Sequence, residues 1–307
     1  MEQFNSFVSS RGLLKSCSIR NTKPLSSVAL IDFSRYNALT DGMTTIYVCQ
    51  DALGLFAEHI LGSIDKPFVL LTGDSDLPVT EDLPGFAQVV AHPHLKAWFG
   101  QNLVARGDKL TPLPIGLDYH TAWEMVGYLE TSTISPMRQE SWLKATIAAS
   151  KAWANRVPRA YCNWQFTPYG ERVECLERVD RDACYFEPQR ISRQQSWRNQ
   201  SEFMFTLSPA GLGMDCHRTW EGLLLGAIPI VRRNAIAPVY AGLPVLMVED
   251  WAEVTPAFLH YWAGRLADQT FDFNPLLLRH WQDRIQFRTP DDSFANLTID
   301  AFRGLIV

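Results

Sequence analysis

Asp215, His217, Arg218 and Glu221 stand within one short stretch of the chain, an acid, an imidazole, a guanidinium and a second acid inside two helical turns. A Pro/Gly-rich loop with Ser208, Gly211 and Gly213 precedes them. Apolar, β-prone runs at 203–207 and 227–231 bracket the whole segment. The pattern reads as strand, loop, helix, strand, with the polar groups massed where the helix begins. A helix start presents unpaired N–H groups and partial positive charge, which suits phosphates. Arg218 adds a forked donor for phosphate oxygens. Glu221, an acceptor when ionised, suits sugar hydroxyls. The plainer alternative is an Arg218–Glu221 surface ion pair, worth ~0.2–0.5 kcal/mol. The flanking glycines, proline and strands favour a ligand site.

A second group lies upstream. Asp74 and Asp76 follow the apolar run 68–72, and Asp118 follows Pro114-Ile115-Gly116 with Tyr119 and His120 beside it. His92 and His94 flank Pro93 without a third ligand at metal-binding spacing, so they read as loop residues. Trp98 and Asn102 offer a stacking and hydrogen-bonding surface for a sugar, with core packing the competing role for the tryptophan. Asn163 ends another strand and Arg172 enters the next helix, both positioned toward the opening motif.

Strands are expected at 45–49, 68–72, 95–99 and 109–114, with a helix over 53–61 and a linker helix over 138–155. A second series has strands at 160–164, 203–207, 227–231 and 245–248, with helices over 169–179 and 191–200. Helical spacing fills 255–267, 276–287 and 292–304. Alternation of this kind implies an α/β protein with parallel sheets, and two series imply two doubly wound units. The expected organisation is an N-terminal tail over 1–27, one unit over 28–150, a second over 151–255, and C-terminal helices over 256–307 packing across both.

The chain has 307 residues, 47% hydrophobic and 20% charged, with a net charge of −5. That balance argues against a broad nucleic-acid surface. No apolar run approaches the ~20 residues of a membrane span. The six cysteines form no C-x-x-C pair, so free thiols in a reducing, cytoplasmic setting are expected. After residue 150 there are sixteen arginines and a single lysine, a bias suited to phosphate or carboxylate recognition and equally to base composition.

The segment from Phe205 through Ser208-Pro209, Gly211, Gly213, His217-Arg218, Glu221, Gly226 and Ile228-Pro229-Ile230 resembles the C-terminal part of exostosin-like glycosyltransferases. The likeness continues at 238–240, 243–245 and 248–251. Residues 66–76, 98–102 and 113–118 look similar to small bacterial and viral sugar transferases of that kind. The resemblance implies GT-B architecture, two Rossmann-like units facing a cleft. It implies an inverting, metal-independent transfer from a UDP- or GDP-linked sugar to a glycan hydroxyl. No cofactor is implied beyond that co-substrate. The donor nucleotide would lie against Ser208, Gly211, Gly213, Asp215, His217, Arg218, Glu221, Arg172 and Asn163. The acceptor would meet His92, His94, Trp98, Asn102 and Asp118. Cys216 beside His217 departs from members with a Ser two residues before the Arg. The D-x-D at 74–76 permits two chemistries: a GT-A-like metal and diphosphate site, or a general base on the acceptor side. The donor motif lies elsewhere, which favours the base, with Asp76 ahead of Asp74. A non-catalytic nucleotide-sugar or glycan-binding protein is the third reading.

Overall fold

The computed structural model describes residues 1–36, 43–125 and 132–307. Two parallel sheets organise the chain. The first contains β1 (Thr44–Cys49), β2 (Phe68–Gly73), β3 (Leu95–Gly100) and β4 (Leu110–Pro112), in the order β1-β2-β3-β4. The helices of this half are α1 (Ser10–Lys15), α2 (Phe33–Tyr36), α3 (Leu53–His59), α4 (Phe86–Val90), α5 (His120–Glu124) and α6 (Pro136–Ala149). Strand period two divides the buried residues between two cores. Ile46, Val48, Phe68, Leu70 and Trp98 face α3 and α4 through Phe56, Phe86 and Val89. Tyr47, Val69, Leu71 and Phe99 join the larger core that continues into the second half.

The second sheet contains β5 (Val157–Cys162), β6 (Cys184–Phe186), β7 (Phe203–Leu207), β8 (Ile228–Arg232) and β9 (Leu246–Val248), ordered β6-β5-β7-β8-β9. Its helices are α7 (Glu171–Arg178), α8 (Arg193–Gln200), α9 (His217–Leu225), α10 (Pro256–Leu266), α11 (Leu278–Ile285) and α12 (Ile299–Leu305). Here the chain moves outward from β5 to β6, then returns to β7 on the other side and continues to β8 and β9. That reversal makes the sheet doubly wound. The first sheet has no reversal, so the expectation of two doubly wound units holds only for the second. Among the described residues no helix is long and apolar enough to cross a membrane.

Helix limits follow local caps. Ser192 accepts from Gln195 N–H and starts α8, and Thr255 accepts from Phe258 N–H and starts α10. The helix expected over 292–304 begins only at Ile299, where Thr298 accepts from Ala301 N–H. Gly226, at φ +75, ends α9 in the left-handed region.

The N-terminal tail is the clearest correction. Phe7, Val8, Leu13, Leu14 and Cys17 are buried in the larger core. Leu117 N–H donates to Val8 C=O at 2.8 Å, and Val8 N–H to Leu276 C=O at 2.9 Å. The segment is therefore wedged between the end of the first sheet and the stretch before α11. Its serines and basic residues mask a short apolar repeat that only tertiary burial brings out. Phe7→Ala should cost about 3–5 kcal/mol in denaturant unfolding; a change within 0.5 kcal/mol would mean the segment is a tail after all.

Candidate functional site

In an open parallel sheet the ligand crevice lies beyond the carboxyl ends of the two strands flanking the winding reversal. Those strands are β5 and β7, which pair directly, Ala160 opposite Phe205 and Tyr161 opposite Thr206. Asn163 follows β5 by one residue and Ser208 follows β7 by one, so both sit at the reversal. The crevice is bordered by α7 and α9, the helices that leave these strands. Arg218 Nε donates to Asn163 Oδ1 across it at 3.2 Å. Ser208 Oγ and Thr219 Oγ1 lie 2.8 Å apart and tie the loop to α9. Glu171 accepts from Ala210 N–H at 2.7 Å, anchoring the same loop to α7.

The glycines here allow close backbone approach. Gly170 has φ +58, and a Cβ on it would stand 2.6 Å from Gly211 O. A Cβ on Gly211 would stand 3.3 Å from Arg172 Nη2. Arg172 is buried, lies over the Tyr169 ring at 4.5 Å, and donates to Thr167 Oγ1 at 2.8 Å. Its Nε is buried without a partner. Among the described residues neither Arg172 nor Arg218 pairs with a carboxylate, whereas Arg232 pairs with Glu171 and Glu174, and Arg178 with Asp250. Glu221 is half-buried and makes no hydrogen bond or ion pair. The Arg218–Glu221 surface pair is thus not formed, and two guanidiniums beside the reversal point have no carboxylate partner among the described residues.

The two halves meet along the loop before α9. Asn102, at φ +50, accepts from Met214 N–H and Asp215 N–H, both at 3.1 Å, and donates to Ser75 C=O at 3.0 Å. Asp215 accepts from Ile115 N–H at 2.8 Å, Cys216 N–H at 2.8 Å, and Trp220 Nε1 and Tyr240 Oη at 3.0 Å. Burial pushes its carboxyl up from the ordinary aspartate value, and these donors work against that shift. A side chain so occupied joins the halves; it has no role left in holding a nucleotide. His217 Nδ1 lies 2.7 Å from Gly116 C=O. Asp118 pairs with Arg193 Nη2 at 2.9 Å. Burial alone would raise the Asp118 carboxyl, but Arg193, His120 and His217 together hold it well below the carboxylate range. Asp118 therefore serves as a salt-bridge partner within the junction.

Asp74 and Asp76 part company. Asp74, at φ +59, is buried; it accepts from Ser26 Oγ at 2.7 Å and pairs with Arg11 Nη1 at 3.0 Å. It is committed to holding the N-terminal segment and is not free to take a proton or a metal. Asp76 is exposed, and its Oδ1 lies 2.9 Å from where a Cβ on Gly213 would be, so it borders the donor loop. Among the described residues no group of three His, Cys, Asp or Glu side chains could hold a metal ion.

Three expected acceptor residues fall elsewhere. His92 and His94 precede β3, and His94 C=O accepts from Phe68 N–H at the start of β2, so both lie at the opposite end of the sheet from the cleft. Trp98 is fully buried, donates to Thr72 Oγ1 at 2.9 Å and packs on Phe86. A β-period count places Trp98 inward. Arg11, Tyr169 and Arg193 are the junction and crevice residues that local reading misses; Arg11 sat in an apparent tail, and Arg193 in a polar helix without a motif.

No protein-family model matches this chain, and no curated protein sequence does. The assignment of the crevice accordingly rests on the winding reversal and on the unpaired arginines. Asp215→Ala, which strands several buried donors at once, should lower stability by about 3 kcal/mol or more in denaturant unfolding. A loss under 1 kcal/mol would show that Asp215 does not join the halves.

Proposed function

We propose that this protein is an inverting glycosyltransferase of GT-B architecture that moves a sugar from a UDP- or GDP-linked donor to a glycan hydroxyl. The observation that carries the reading is the pair of acid-free guanidiniums, Arg172 and Arg218, at the reversal point between β5 and β7. Their charge, with the starts of α7 and α9 beside them, suits a diphosphate. Glu221, half-buried and unpaired, suits the ribose hydroxyls. As the bond from the anomeric carbon to phosphate breaks, negative charge grows on the leaving diphosphate. Fixed cations there stabilise the transition state more than the ground state.

The acceptor hydroxyl attacks from the first half, where Asp76 is the aspartate of the 74–76 pair with its carboxylate free. A metal-dependent mechanism through Asp74 and Asp76 together fits poorly, since Arg11 and Ser26 occupy Asp74. Binding without transfer is separated from catalysis by donor turnover with a panel of sugar acceptors.

Calorimetric titration with UDP and GDP tests the donor side. Arg218→Ala should weaken the better nucleotide at least ten-fold while leaving acceptor affinity within two-fold, and the reverse pattern would overturn the assignment. Transfer should persist in excess EDTA. Activity abolished by the chelator and restored by a divalent ion would return the metal-dependent reading.

A further inference from the structure

Resting on the transferase reading, one step has no settled agent: removal of the proton from the attacking hydroxyl. Asp76 is exposed, and no protein group orients its carboxylate. His120, in contrast, begins α5 at the junction with its side chain 13% exposed. Its Nδ1 lies 3.2 Å from Asp118 Oδ1, an ion-pair contact outside hydrogen-bond geometry. Asp118 is itself held from three sides. Arg193 Nη2 donates to Oδ2 at 2.9 Å, Thr121 N–H donates to Oδ1 at 3.0 Å, and Arg193 Nη1 donates to the Asp118 carbonyl. Gln139 Oε1 accepts from the same Arg193 at 2.7 Å and keeps the guanidinium in place. A base in contact with a buried acid, which is held in turn, follows the logic of a catalytic base supported by a third group.

The ring of His120 meets that of His217 edge to face, centroids 6.4 Å apart at 64°. His217 is the first residue of α9, next to Arg218. Gly116 C=O can only accept, so His217 carries its proton on Nδ1 and leaves Nε2 open. His120 Nε2 likewise makes no hydrogen bond to the protein. The two imidazoles therefore meet at the junction, one from each half, with His217 next to Arg218 in the chain.

We propose that His120, oriented by Asp118, is the general base that takes the proton from the acceptor hydroxyl. The hydroxyl O–H breaks toward His120 Nε2 while the oxygen bonds the anomeric carbon. The carbon–phosphate oxygen bond breaks, and its electron pair leaves on the nucleoside diphosphate. Asp118 stabilises the imidazolium, which later returns its proton to water. Asp118, Arg11, His217 and Asp74 are the charged and titratable groups facing His120. Burial outweighs the opposing pull of Asp118 and lowers the pKa of His120 below the usual histidine value. The ring is then neutral at pH 7, and an imidazole is intrinsically a stronger base than an aspartate carboxylate.

The test joins kinetics to a readout that needs no turnover. With UDP-glucose and GDP-mannose as donors and a panel of sugar acceptors, His120→Asn should lower kcat roughly 10²–10⁴-fold. UDP or GDP affinity should stay within two-fold, which also reports folding. The wild-type rate should fall on acidification through a pKa below about 6.5, and this limb should vanish in His120→Asn. ¹⁵N NMR of the wild type should find the His120 proton on Nδ1. If Asp76→Asn abolishes transfer while His120→Asn keeps both rate and pH profile, the base is Asp76 and the proposal is wrong, though the transferase reading stands. A His120 proton on Nε2 would overturn the proposal whatever the activity. Nucleotide binding with no turnover of either donor would sink the transferase reading and the base with it.

Discussion

The buried carboxylate of Asp215 is the contact on which the arrangement of the two halves depends. An isolated buried carboxylate is costly, so it persists only where donors surround it. Here the donors come from the first half (Ile115 N–H), from α9 (Cys216 N–H and Trp220 Nε1) and from the turn before β9 (Tyr240 Oη). Satisfying one side chain thus ties the start of α9 to two segments distant in the chain. Because His217 and Arg218 follow it immediately, the same contact sets where the start of α9 lies against the first sheet. Asn102 reinforces it from below by accepting the N–H groups of Met214 and Asp215. The junction is held by polar groups that lose their partners if either half moves.

Charge is distributed unevenly around this junction. Several arginines near the second sheet are spent on acids: Arg232 on Glu171 and Glu174, Arg178 on Asp250, Arg193 on Asp118. Arg172 and Arg218 are the exceptions in the crevice. The ion pairs also have positioning consequences, since Glu171, while pairing with Arg232, holds the Ala210 amide and hence the loop. All six cysteines are free thiols; Cys216 Sγ accepts from Arg218 Nη1 at 3.3 Å, and burial raises the pKa of Cys17, Cys49, Cys162 and Cys175. Protonated thiols of this kind are inert packing groups.

Much of the second half was legible because its signals are local. Apolar runs such as 203–207 and 227–231, a Pro/Gly loop and a glycine at the end of α9 each declare their structure within a few residues. The first half was harder to read. His92 and His94 look like candidates by residue type, yet only strand direction tells which end of the sheet they occupy. Trp98 offered both a sugar platform and a core role, and β-period packing turned it inward. Asp74 and Asp76 are equivalent in sequence and opposite in environment. An arginine 63 residues upstream of Asp74, in what read as a tail, makes the difference.

The sequence by itself determined the α/β class, most strand positions, and the grouping of loop, helix start, Arg218 and Glu221, since these depend on periodicity and neighbours along the chain. Tertiary structure decided which of those groups are free to act. It consumed Asp215 and Asp74 in buried contacts, left Arg172 and Arg218 without a carboxylate and Glu221 without a partner among the described residues, and set His120 against Asp118 and His217. It also decided the winding of each sheet, because strand order depends on contacts between segments that no local pattern encodes. Whether a polar side chain is spent or available is a matter of which distant group meets it, and that is settled only when the chain has folded.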